Sequence, residues 1–164
     1  MNTSISTPPG YWQDLTAALR HLQPLVLLLF RLLVAMAFWR AGVVKLADPS
    51  GTLALFSNEY HVPLLSPQLA ATLGTWVELI TPWFLIFGLG TRAVAAILFV
   101  YNIIAVVSYP DLWPDGFWTG LIGSDFDDHK AWGLMFLALV AWGPGVLSLD
   151  GVASWWSRRR SRNA

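Results

Sequence analysis

"PLVLLLFRLLVAMAFWRAGVVK", residues 24–45, decides how the rest of the chain folds. As a helix it extends about 33 Å at 1.5 Å per residue, enough to cross the roughly 30 Å hydrocarbon core of a bilayer. Into this apolar run the chain sets Arg31, Arg40 and Lys45. A guanidinium at mid-bilayer costs about 2.5–3.5 kcal/mol on the insertion scale, and less where the side chain snorkels to an interface. Lys45 closes the run and reaches outer headgroups, and Arg40 lies near enough to that end to snorkel. Arg31, roughly 10 Å inside the other end, is the costly one. At 100° per residue, Arg31, Phe38, Gly42 and Lys45 follow one stripe, with Arg31 and Lys45 about 40° apart, while Arg40 points to the opposite side.

Composition places the whole chain in the same class. Of its 164 residues 55% are hydrophobic and 12% charged, with ten tryptophans and nine phenylalanines. The mean hydropathy is +0.54. Soluble domains carry about 25% charged residues, so this surface is built for lipid. Ten basic and ten acidic residues cancel, leaving no field to attract nucleic acid. Cysteine is absent, which excludes disulfides, thiolate nucleophiles and thiolate metal sites within the chain. The "AMA" at 35–37 imitates a signal-peptide cleavage site, but the residues before Asp14 carry no charged side chain and the apolar run contains Arg31. A retained span is the expectation.

Three further stretches are long enough to cross: about Gln68–Gly90, Arg92 or Ala93–Tyr109, and Lys130–Leu149. The chain therefore reads as an all-α membrane protein, a four-transmembrane-helix bundle with a short N-terminal interfacial helix and structured outer loops. Residues 1–23 form the cytoplasmic or interfacial segment, 24–150 the transmembrane domain and 151–164 a basic cytoplasmic tail. In residues 11–22, Tyr11, Trp12, Leu15, Leu19 and Leu22 share one helical face, as an interfacial helix requires. Arg20, Arg92, Arg158, Arg159, Arg160 and Arg162 fall on one side of the membrane. Lys45, Lys130 and most acidic residues fall on the other. The positive-inside rule then puts both termini in the cytoplasm of a bacterial inner membrane. The outer loops span residues 46–67 and 110–129; the second carries Leu112, Trp113, Phe117, Trp118, Leu121 and Ile122 and is expected to fold back as a cap.

Glu78, in "WVELITPWF", is the acidic residue inside a span. Arginine stays protonated in any setting, so an Arg–Glu pair is the natural way to hold both in lipid. Arg31 is the favoured partner and Arg40 the alternative. Pro82 one turn on disturbs the helix beside it, and Asn102 and Tyr101 are candidates to extend this polar centre. Ionisable residues at such depth are functional candidates, against the plainer role of a register clamp. His129 follows "SDFDD"; with Asp125 it has the i, i+4 spacing of a weak metal site, against the plainer reading of Asp127 or Asp128 as a helix N-cap.

Three segments resemble the DoxX family of small four-helix bacterial membrane proteins. "FRLLVAMAFWRAGVVKLADP" carries the arginine start and G-x-x-K-L ending at Arg31, Gly42, Lys45 and Leu46. "ELITPWFLIFGLGTRAVAA" carries Glu78 and G-L-x-T-R at Gly88, Leu89, Thr91 and Arg92. "HKAWGLMFLALVAWGPGVLSLD" carries His129 and G-P-G-x-x-S-L-D at Gly143, Pro144, Gly145, Ser148, Leu149 and Asp150. Some relatives resemble membrane subunits of thiosulfate:quinone oxidoreductases and others belong to oxidative- or metal-stress systems. "VVSYPDL" and "HKAWG" sit closer to the generic branch than to the sulfur-oxidising subunit. The resemblance implies an accessory membrane subunit of a redox or stress-related system, contacting quinone and a redox or periplasmic partner protein. Arg31 and Glu78 would flank the quinone headgroup. A non-enzymatic transport, metal-homeostasis or anchoring component is the alternative, and a homo-oligomer is compatible with either.

Overall fold

The computed structural model describes residues 10–162, without the side chains of Tyr11, Trp12, Arg158 and Arg162. The parts of the expected interfacial face and basic tail that rest on those four side chains lie outside what is described. All regular structure among the described residues is helical. In chain order the helices are α1 (Tyr11–Arg20), α2 (Gln23–Ala47), α3 (Pro49–Asn58), α4 (Pro67–Phe87), α5 (Thr91–Val107), α6 (Phe117–Ile122), α7 (Asp127–Trp142) and α8 (Leu149–Arg162), with a 3-10 turn at Pro110–Leu112.

Local chemistry sets the ends. Pro24, Pro49 and Pro67 stand in the first turns of α2, α3 and α4, where the missing N–H costs nothing. Asp48 caps α3 by accepting from Gly51 N at 2.8 Å, and Ser66 accepts from Leu69 N in α4. The Asp48 carboxyl is held below the usual carboxylate range, first by that backbone bond and then by the Ser50 hydroxyl. Helix α4 runs through Pro82 and ends at Gly88 in a left-handed turn, with Leu89 N reaching back to Phe84 O at 2.9 Å.

Helix α2 packs on α4 and α7, and α5 packs on α7 and α4, closing a ring of four. Val34, Leu85, Leu98, Phe136 and Leu139 are fully buried at its centre, and the Phe38 ring meets Phe136 edge-on at 5.4 Å. The outside of the ring is apolar. Leu33, Ile97, Val100 and Leu134 are each more than half exposed, whereas Arg31, Thr75, Glu78, Thr91, Asn102 and Ser148 are buried. Such a belt would be an aggregation surface in water and is an ordinary one in lipid. Two helical stretches, Gln13–Ala47 and Pro67–Phe87, are long and apolar enough to cross a membrane, and α5 is a shorter apolar helix.

Three expectations need correction. The fourth apolar stretch does not run helical to Leu149; α7 stops at Trp142, because Gly143 takes φ +78° and Pro144 lacks the N–H a further turn needs. Residues 46–67 hold a complete helix, α3, nucleated by its Asp48–Pro49 start. Neither Asp127 nor Asp128 caps α7: the N-cap position is Phe126, left-handed with φ +39°, and both aspartates lie in the first turn. The second loop does fold back in part. Trp113 Nε1 donates to Val106 O at 2.9 Å and Phe117 stacks on Phe126, yet Trp118 and Ile122 stay exposed.

Candidate functional site

The register of α2 against α4 places every polar group. These helices run antiparallel, and Gly42 lies against Glu78, where an added Cβ would stand 3.0 Å from the Glu78 backbone carbon and Cβ. Glycine lets the two backbones approach this closely. Eleven residues earlier Arg31 reaches the level of Gly88, roughly 15 Å from Glu78 along the axis. Arg31 therefore cannot meet Glu78.

Arg31 is fully buried and turns its two Nη groups to backbone carbonyls, while its Nε has no partner among the described residues. Its Nη1 donates to Leu85 O at 3.3 Å and its Nη2 to Leu147 O. Leu85 O, which also accepts from Gly88 N at 3.1 Å, lies in the last turn of α4, so the cation sits on the negative end of that helix. Asp150 acts on it electrostatically from nearby. The same carboxylate accepts from Gly90 N and Thr91 N, each at 3.0 Å, capping α5, while Asp150 N donates to Gly88 O at 3.0 Å. The turn after α4 and the segment before α8 are thus sewn together. Arg92 is exposed beside Gly143, and Gly145 lies against Pro24 and Leu27.

The expected Arg31–Glu78 pair is not formed, and neither is the Arg40 alternative, because Arg40 is exposed on the far side of α2. Glu78 pairs with Lys45, whose Nζ meets Oε2 at 2.5 Å. The lysine stem reaches inward by about one turn instead of outward to headgroups. Tyr101 on α5 donates its hydroxyl to the other carboxylate oxygen, Oε1, at 2.8 Å. Asn102, one residue on, joins a separate pair: its Nδ2 donates to the backbone carbonyl of His129, and its Oδ1 faces His129 Nδ1, both at 2.9 Å. The Asp125–His129 metal pair is not built, since Asp125 precedes α7 and packs at Gly120. Among the described residues no group of three or more His, Cys, Asp or Glu is placed to hold a metal ion.

Lys45, Glu78, Tyr101 and His129 all line one cavity of about 610 Å³. Its remaining wall is largely apolar, including Phe38, Phe56, Tyr60, Leu73, Ile104 and Trp132. Size, apolar walls and a few convergent polar groups are what a small-molecule site requires. Phe56 and Tyr60 of this wall stack face to face, and Tyr109 stacks on Tyr60 behind them, with centroids 4.6 and 4.7 Å apart. Tyr109 donates to Glu59 Oε2 at 2.9 Å, and that bond, ahead of burial, raises its phenol above the usual range. Tyr60 is pushed up to about 12, first by burial and then by the Glu78 charge, so it stays a neutral phenol. The sequence named Lys45, His129 and Tyr101 separately but not their meeting. The signal for it was the shared stripe of Gly42 and Lys45, which does not say which residue of α4 stands opposite.

An all-helical ring with a lipid-compatible exterior and charged groups turned inward defines a small helical membrane protein. The chain belongs to the DoxX family, whose model matches residues 26–110. That match takes in Arg31, Gly42, Lys45, Glu78 and Arg92, and it ends before the His129–Asp150 segment. No curated protein and no solved structure matches the chain.

Proposed function

We propose that the chain is an accessory inner-membrane subunit of a redox system, receiving an amphipathic quinone-type headgroup in the Lys45–Glu78–Tyr101 cavity. The observation that carries this reading is the ion pair itself. A Lys–Glu pair in an apolar interior seldom stabilises a fold more than well-packed hydrophobic residues would. Here it lies on the wall of a ligand-sized cavity, where ionisable groups in a bilayer are functional by default. Lys45 takes the place that the sequence alone would give to Arg31. It supplies the cationic donor beside the headgroup, and Phe56, Tyr60 and Trp132 supply flat aromatic walls.

In this reading α2, α4, α5 and α7 all cross the bilayer. Helix α7, at 16 residues, crosses with help from the 143–148 segment. Arg20, Arg92, Arg159 and Arg160 then gather at the Arg31 end, which the positive-inside rule assigns to the cytoplasm together with both termini. Helices α1 and α8 lie on that inner surface, and the cavity opens toward the outer half.

The protein carries no cysteine with which to hold an iron–sulfur cluster. Electrons come from a partner protein, and this chain contributes the binding site. A second reading, a non-enzymatic anchor for an outer-side partner, draws on exposed Trp118 and Ile122 of α6. The test is thermal unfolding of the detergent-purified protein with short-chain ubiquinone and menaquinone analogues. A rise in Tm that Glu78→Gln diminishes supports the quinone reading. No shift with either analogue favours the anchor.

A further inference from the structure

Both oxygens of Glu78 are already engaged, Oε2 by Lys45 and Oε1 by Tyr101, so the carboxylate positions other groups and leaves ligand contact to them. Lys45 keeps ammonium hydrogens beyond the one given to Glu78, and its side chain is 16% exposed. On another wall of the same cavity stands His129. Asn102 fixes its ring chemistry. Because Asn102 Nδ2 donates to the His129 carbonyl, the amide oxygen must face Nδ1, which therefore carries the hydrogen. In the neutral ring the lone pair is then on Nε2. That nitrogen has no hydrogen-bond partner among the described residues, and it is not fully buried. Ser108, which is 1% exposed and also lines the cavity, has a hydroxyl without a partner among the described residues.

We infer that His129 is a ligand-recognition residue that accepts a hydrogen bond from an O–H on the bound headgroup, so that the cavity prefers a dihydroxy-aromatic, quinol-type ligand over the oxidised quinone. The inference rests on the quinone-type reading above. Lys45 offers a donor, which either redox form accepts through an oxygen. His129 Nε2 offers an acceptor, which only a hydroxyl-bearing form can fill. An oxidised quinone, having acceptors alone, leaves Nε2 unpaired in an apolar wall. One hydrogen bond of this kind is worth about tenfold in affinity. For a two-electron couple a tenfold preference raises the potential of the bound pair by about 30 mV. The preference thus makes the bound quinone easier to reduce.

The test is binding to the intact detergent-purified protein, under anaerobic conditions, of a short-chain ubiquinone analogue in three forms: oxidised, reduced, and the dimethyl ether of the reduced form. The ether keeps the oxygens, lacks both O–H groups and does not interconvert. The expected result is reduced form tighter than oxidised form and ether by about tenfold. His129→Ala should collapse the reduced form to the level of the other two, and Lys45→Met should weaken all three. The wild-type ratio needs no variant, so a misfolded His129→Ala does not blunt the test. Equal affinity of all three forms for the wild type overturns the role of His129 and leaves the quinone reading standing. Binding of none of them overturns both.

Discussion

Lys45 on α2 and Glu78 on α4 meet at 2.5 Å, although Lys45 stands two residues from the end of its helix and Glu78 in the middle of its own. The antiparallel register explains the meeting. With Gly42 against Glu78, Lys45 is about one turn away, within reach of a four-carbon stem. The cation that looked like a headgroup anchor is the counter-ion of the buried carboxylate.

Close approach at Gly42 is the condition for that pair. Gly42→Ala would press a methyl group against the Glu78 backbone and the Leu79 side chain. The expected loss is about 1–3 kcal/mol, read by unfolding in mixed SDS–detergent micelles. Gly42→Leu should separate α2 from α4 and abolish ligand binding in the cavity.

At the other end, Gly88 has φ +67°, and a Cβ there would overlap the Arg31 guanidinium and Ser148 Cβ. Backbone strain and overpacking add, so Gly88→Ala should cost about 2–4 kcal/mol. Gly90→Ala has open space and bears the backbone term alone. A smaller loss at Gly90 than at Gly88 in the same assay checks the packing argument.

Arg31 forks between two carbonyls, Leu85 O and Leu147 O, which a single ammonium group does not match in geometry. Arg31→Lys is expected to lose about 1–3 kcal/mol and Arg31→Met more. Neither should change ligand affinity in the folded fraction by more than about twofold, because Arg31 lies roughly 15 Å from Glu78. Ligand titration of the purified variants measures this.

The Tyr60 phenol is raised from 10.0 to about 12 by burial and by Glu78. Its sign follows from linkage: the fold favours the neutral phenol. That contribution is whole below pH 10 and is lost as pH rises toward 12. The difference between ultraviolet titrations of wild type and Tyr60→Phe should show one tyrosinate forming near pH 12, and a midpoint near 10 would contradict the burial.

The helical class was readable from runs of apolar residues, and α2, α4 and α5 lie within a few residues of their expected limits. Helix α3 was missed because its ten residues sit in a segment read as loop, although Asp48–Pro49–Ser50 is a helix start. The end of α7 was overrun because "VLSL" (146–149) continues the apolar pattern that Gly143 and Pro144 interrupt. The helical wheel put Arg31, Gly42 and Lys45 on one stripe, but it carries no information on which residue of α4 stands opposite. The site's second wall, His129 with Asn102, joins helices distant in sequence, and no local pattern brings them together.

A double-mutant cycle on Lys45→Met and Glu78→Gln tests the central claim most directly. Each single change leaves a buried partner without its counterpart and should cost about 3–5 kcal/mol, while the double variant should recover much of that loss. The same cycle with Arg31→Met in place of Lys45→Met should be additive. Additivity for Lys45 with Glu78, or strong coupling of Arg31 to Glu78, would contradict the account.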